Sequence, residues 1–242
     1  MKAGKWRKLS VAVLLSLALA VPMAGGSCEA AVRFVRAHAD EYGLDAERIA
    51  IAGTSAGAHL AAELAVTSGN KALEGDEGGN LEYSSRVKAC VDYYGPTNLL
   101  TMAPEMNPAL EAPGKAAETH DSVRANESIL LGFTGEGQGV GTLRKLDEAG
   151  DTASPYWHMV EMAKLASPVY QVTKDAPPFF IAHGGHDSLV PIQQSISLQK
   201  ALTDAGVENI FMCNSKAPHG YQGEDTNKAM MRWLCRQLGV TY

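Results

Sequence analysis

Apolar and polar positions along the chain fall into two alternating kinds of block. Arg48–Ala52, Val87–Tyr94, Pro178–His183 and Glu208–Cys213 are short apolar runs bounded by turn residues, and each predicts a strand. Between and around them lie longer amphipathic stretches with helical spacing. Cys28–Tyr42 puts Ala31, Phe34, Val35 and His38 on one face and stops at Gly43. Ser55–Val66 is rich in small residues, with Leu60, Leu64 and Ala65 facing inward, and Pro191–Ala205 and Asn227–Leu238 complete the set. Strands alternating with helices predict an α/β domain: a mostly parallel sheet with helices on both faces.

One stretch breaks this rhythm. Thr97–Asp175 is polar, rich in Ala, Glu, Gly and Met, and has no strong strand run, so it predicts a mostly helical cap inserted into the sheet domain. The beginning of the chain also differs. Lys2, Lys5, Arg7 and Lys8 precede an almost wholly apolar run from Leu9 to Ala24, with Ala18-Leu19-Ala20 as a cleavage pattern. This is the layout of an export signal over residues 1–24, too short to span a bilayer comfortably. It predicts a secreted or periplasmic protein with no stable membrane span after cleavage. The domain proper then occupies 27–242, with the cap at about 97–175.

The chain is 242 residues long with a formal charge of -6 and no basic stripe beyond its first eight residues, which argues against nucleic acid as a partner. Export would permit disulfides. Cys90 and Cys213 lie in apolar strand-like runs, however, and are expected as buried free thiols. No Cys or His spacing suggests a metal site, and no cofactor is expected.

The candidate chemistry lies at Ile49–His59, I-A-I-A-G-T-S-A-G-A-H. In a chain with 24 glycines a G-x-S-x-G match arises easily by chance, so its surroundings must decide. Here a strand runs straight into a helix with Ser55 on the turn, and the sharp bend explains glycine on both sides. Ala56 then opens the helix and offers its backbone N–H to a substrate oxyanion. A serine hydroxyl needs a base. Of seven histidines, His38 and His59 sit on predicted helices, and His120 and His158 lie in the cap. His183 ends a strand and His186 follows it. His219, in the loop after the last strand, is the best base. Asp187, after the third strand, is the matching acid at the carboxyl edge of a parallel sheet. Asp92 lies inside its strand and is a poorer candidate.

The succession G-T-S-A-G-A-H-L-A, D-Y-Y-G-P-T-N-L-L, S-P-V-Y, A-P-P-F-F-I-A-H-G-G-H-D-S-L-V-P and P-H-G-Y resembles the α/β-hydrolase superfamily. The resemblance is nearest to secreted esterases of the hormone-sensitive-lipase-like and feruloyl/acetylxylan-esterase-like groups, and it runs from about Cys28 to Leu238. It implies that Ser55 is the nucleophile, Asp187 the acid and His219 the base of a carboxylesterase. The implied substrates are small acyl esters or acylated polysaccharide. It also implies more strands before the nucleophile than the one seen here, and an H-G-G-G-type oxyanion loop that is not found, so an N-terminally truncated sheet is expected. Two other readings follow from the same residues: a catalytically impaired remnant or binding module, and a serine peptidase of the prolyl-oligopeptidase type. Tyr156 and Trp157 are expected to pack within the cap, with an acyl pocket as their alternative.

Overall fold

The computed structural model describes residues 13–14, 26–110, 115–220 and 222–242. A parallel sheet forms its centre. Its strands are β1 (Val13–Leu14), β2 (Ala50–Thr54), β3 (Cys90–Tyr93), β4 (Phe179–Gly184) and β5 (Asn209–Asn214), and they neighbour one another in chain order. The register sets Ile51 beside Cys90, Cys90 beside Phe179 and Phe179 beside Asn209, so equivalent residues line up across the sheet. Apart from Val13–Leu14, which pair with Ala50 and Ile51, the expected signal segment lies outside the described residues.

Alternation along the strands gives the sheet two apolar faces. Ile49, Ile51, Cys90, Phe179 and Ile181 point one way. There they meet α1 (Gly26–Ala37) through Val32, α2 (Ala56–Thr67) through Ala61, Ala62, Leu64 and Ala65, and α9 (Gln193–Asp204) through Leu198 and Leu202. Ala50, Ala89, Val91, Phe180 and Ala182 point the other way, onto Trp233, Leu234 and Leu238 of α10 (Glu224–Leu238). The α/β class with helices on both faces is therefore observed. A one-residue slip of any strand would exchange its two faces, so burial on both sides fixes the register. Small residues on α2 let it lie close to the strands; Ala58 and Ala62 are fully buried, and a short helix α3 (Lys71–Glu74) follows α2.

Between β3 and β4 the described residues form only helices and turns: α4 (Met102–Glu105), a π-helical turn (Ala117–Asp121), α5 (Asn126–Leu130), α6 (Val140–Ala149), α7 (Trp157–Leu165) and α8 (Pro168–Gln171). This segment has its own apolar centre of Leu99, Leu100, Leu131, Phe133, Val140, Leu143, Val160 and Ala163. The ring of Tyr156 stands edge-on to Phe133 at 5.1 Å and Trp157 packs on the same cluster, so both aromatics contribute to packing there. A paired Arg144–Asp121 contact ties α6 to the π turn.

One expectation about the cysteines fails. Cys90 is fully buried, but Cys213 is exposed. β5 is the last strand of the sheet and most of its residues are only half-covered. An apolar run there does not guarantee burial. No helix among the described residues is long and apolar enough to cross a membrane.

Candidate active site

Ser55 stands between the end of β2 and the first residue of α2, with φ 54° and ψ -125°. Non-glycine residues occupy positive φ rarely, and such strain persists only where the surroundings impose it. Here its N–H donates to Tyr93 O at 2.9 Å, while its own carbonyl accepts from the Ala58 and His59 amides. Gly53 makes the bend possible: a Cβ at that position would lie 2.1 Å from the Gly57 carbonyl oxygen. The result lifts the hydroxyl clear of the sheet edge and leaves Ala56, exposed, at the free N-terminus of α2. The first amides of a helix have no intrahelical acceptor and carry its positive end, which suits an oxyanion.

The loops after β4 and β5 bring the other two expected residues to this hydroxyl. His219 Nε2 is 2.9 Å from Ser55 Oγ, and His219 Nδ1 is 2.8 Å from Asp187 Oδ2. A carboxylate only accepts, so Nδ1 carries the proton and Nε2 offers its lone pair to the serine hydroxyl. Glycine again permits the approach, since a Cβ on Gly184 would sit 2.3 Å from Ala217 O. Asp187 is buried, and burial alone would raise its pKa. Hydrogen bonds from His183, His219 and the Val190 and Leu189 amides outweigh that and hold the carboxyl well below the usual carboxylate range. It therefore stays ionised and can stabilise a charged His219.

The other histidines lie elsewhere or play other parts. His38 bonds its own helix at Phe34 O, and His158 bonds Pro155 O at the surface. His186 donates to Ser215 O, outside the Ser55–His219 line. His120 is buried against Glu127 at 2.9 Å. His59 donates Nδ1–H to Pro96 O, and burial lowers its pKa. Among the described residues no group of three or more His, Cys, Asp or Glu side chains is arranged to hold a metal.

The BD-FAE family profile matches residues 11–202, most of the chain. The chain belongs to the BD-FAE family. Its match begins inside the apolar stretch at the start of the sequence. The chain is 33% identical over 218 residues to the esterase LipQ of Mycobacterium tuberculosis, an alignment spanning 88% of this chain and 42% of LipQ. Among solved structures, it is similar to a truncated form of a carbohydrate esterase from gut microbiota. That match has TM-score 0.69 and 29% identity, over 89% of this chain and 68% of that one. It is also similar to a bifunctional GH43-CE protein of Bacteroides eggerthii, with TM-score 0.68 and 30% identity, over 89% of this chain and 25% of that one. The chain spans less than half the length of the curated relatives it matches.

Three further residues of this BD-FAE chain bear on the site and were not assigned a part in it from sequence. His183, fully buried, accepts at Nδ1 from Ser195 Oγ and donates at Nε2 to Val190 O, with Asp187 Oδ2 at 3.3 Å. It clamps the acid loop from below. Tyr94 has φ 48° and sets its ring edge-on to His219 at 4.6 Å. Asp92 shapes the turn that holds Tyr94, accepting the Gly95 amide at 2.8 Å. Burial raises the Asp92 pKa to about 6, against the pull of that amide and of His183. The signal for Tyr94 was a bulky residue directly before Gly95-Pro96, but no sequence rule predicts positive φ there. Asp92 is thus a turn former.

Proposed function

We propose that this chain is a serine carboxylesterase that cleaves small acyl esters, free or carried on polysaccharide, through an acyl-enzyme. One observation carries the reading: the continuous hydrogen-bonded line from Ser55 Oγ through His219 to Asp187 at the head of α2. In this reading His219 Nε2 takes the Ser55 proton as Oγ attacks the ester carbonyl. The developing oxyanion faces the Ala56 N–H. His219 then gives its proton to the departing alcohol oxygen, leaving an acyl group on Ser55. Water, deprotonated by His219, attacks that acyl group; His219 then returns the proton to Ser55 Oγ as the acyl bond breaks and the carboxylic acid leaves. Asp187 stays ionised throughout and offsets the charge that His219 gains.

Small-molecule and polysaccharide esters are both in keeping with the relatives, which include named esterases and a carbohydrate esterase. Hydrolysis of p-nitrophenyl acetate, compared with an Ala-Pro p-nitroanilide, tests the reaction class. Ester cleavage without amide cleavage supports the esterase. The reverse supports the peptidase reading.

Export is part of the proposal, supported by the cationic start and the apolar run after it. Cleavage after Ala20 would remove Val13–Leu14, which pair with β2. Mass spectrometry of the N-terminus after expression in a bacterial host distinguishes a cleaved, exported chain from one that keeps this strand.

A further inference from the structure

Two imidazoles share one oxygen of the acid. His219 Nδ1 lies 2.8 Å from Asp187 Oδ2 and His183 Nε2 lies 3.3 Å from the same atom, while Oδ1 takes the Leu189 and Val190 amides at 2.9 Å each. Of the two rings, His219 meets Ser55, and His183 turns inward. His183 Nδ1 is 2.7 Å from Ser195 Oγ on α9, and its Nε2 is also 2.9 Å from Val190 O. Both neighbours of Nε2 are acceptors, a carbonyl and a carboxylate, so Nε2 carries the proton and Nδ1 accepts the Ser195 hydroxyl. His183 and Ser195 are both fully buried, so water does not compete for these bonds.

Sharing has a chemical consequence. A second donor on Oδ2 stabilises the negative charge there, so less of that charge is available to a protonated His219. In a buried site the effect is little screened. Burial raises Asp187, and His183 and His219 lead the hydrogen bonds that pull it back down. The other titratable groups facing His183 are Asp92 on β3, close enough for a Coulombic interaction, Cys213, its register partner on β5, and Tyr94 after β3. α9 presents the uncharged Ser195. Tyr94 stands edge-on to both rings, at 6.4 Å from His183 and 4.6 Å from His219, and so offers a second route between them by packing alone. A planar ring without a donor at position 183 would keep that packing and remove only the hydrogen bond.

Resting on the carboxylesterase reading, we infer that His183 is a positioning residue of the catalytic line: held by Ser195, it donates Nε2–H to Asp187 Oδ2 and so sets both the aim of the acid and the basicity of His219. It acts through Asp187 and takes no part in proton transfer to substrate. The sign follows from the shared oxygen. Without the His183 donor, Oδ2 attracts a charged His219 more strongly. His219 then keeps its proton to higher pH, and less of it is free base on the acid side.

The test follows kcat/KM for p-nitrophenyl acetate across roughly pH 5 to 9 in the full chain, His183→Phe and His183→Gln. Phe keeps a flat ring beside Tyr94 and removes the donor; Gln restores an N–H near the Nε2 position. In His183→Phe the acid limb should move up by roughly half a unit to one unit, and kcat should fall roughly tenfold with KM little changed. In His183→Gln the limb should return toward that of the parent. A limb that stays in place in His183→Phe, as a merely structural part predicts, or that moves equally in both variants, overturns the inference. A second measurement needs no substitution at 183 and no turnover: NMR of isotope-labelled histidine in the chain carrying Ser55→Ala. A proton on His183 Nε2 supports the inference, and a bare Nε2 overturns it. A parent that hydrolyses no ester is the separate failure of the esterase reading, and the part given to His183 falls with it.

Discussion

Two regions of this molecule bury carboxyl groups, and they treat them in opposite ways. At the carboxyl edge of the sheet Asp187 is surrounded by donors: two imidazoles and two backbone amides converge on it. At the packing of α1 on α2, Glu29 is buried and Glu63 half-buried, and in each Oε2 meets no partner among the described residues. Burial raises Glu29 to about 7, with Glu74 pushing the same way and Arg33 opposing. Burial also raises Glu63 to about 8, and the neighbouring Glu29 adds to it. Arg33 does little to relieve the pair, because its guanidinium is engaged by the Glu77 and Gly79 carbonyls. Burial with donors yields a permanent charge fit for catalysis. Burial with too few of them yields a group that is neutral near pH 6 and costly above pH 8.

The largest expected effects break the donor-rich region. His219→Ala should lower kcat on p-nitrophenyl acetate by at least about a thousandfold, since Ser55 then has no base. Asp187→Asn should cost roughly 10³–10⁴ in kcat: an amide can donate to Nδ1 and stabilise the wrong tautomer. Stopped-assay kinetics on purified variants of equal circular dichroism check both. A loss below tenfold for either would contradict their assigned parts.

How much of this was legible beforehand varied with the physics involved. The four long strands read true because both sheet faces are buried, so their apolar runs are continuous. The structure brings Ser55, Asp187 and His219 together because a strand-to-helix bend demands glycine and small neighbours, and because loops at one sheet edge converge. Cys213 misled because edge exposure depends on which strand lies last, and no local pattern carries that. Tyr94 and His183 were missed because their roles depend on a ring contact and a shared acceptor between segments far apart in sequence.

The next effect sharpens the donor-poor region. The folded pKa values of Glu29 and Glu63 lie above the ordinary value of 4.5, so the folded state binds more protons than the unfolded one. Stability should therefore fall as pH rises from about 4.5 through 7 to 8 and level off beyond. Thermal melts across pH 5 to 9 check this, with Glu63→Gln expected to flatten the decline by several degrees, on the scale of roughly 2–4 °C per kcal/mol. A melt that rises over that range would contradict it. Asp187 adds nothing to this slope. Its depressed carboxyl contributes fully above about pH 4 and is lost only as pH falls through the lower folded value.

The smallest effect concerns the ring beside the base. Tyr94→Phe keeps the edge contact with His219, and Tyr94→Ala removes it. An aromatic pair is worth about 0.5–1.5 kcal/mol, so the Ala variant should lose roughly two- to tenfold in kcat, with the Phe variant closer to the parent. Equal losses in both would shift the importance from the ring to its hydroxyl.

The most direct test of the central claim is hydrolysis of p-nitrophenyl acetate by the purified chain beside Ser55→Ala. The account predicts turnover by the parent, with a burst of p-nitrophenol, and its loss by at least about a thousandfold in the variant. Activity that survives the substitution, or a parent that releases no p-nitrophenol, would contradict it.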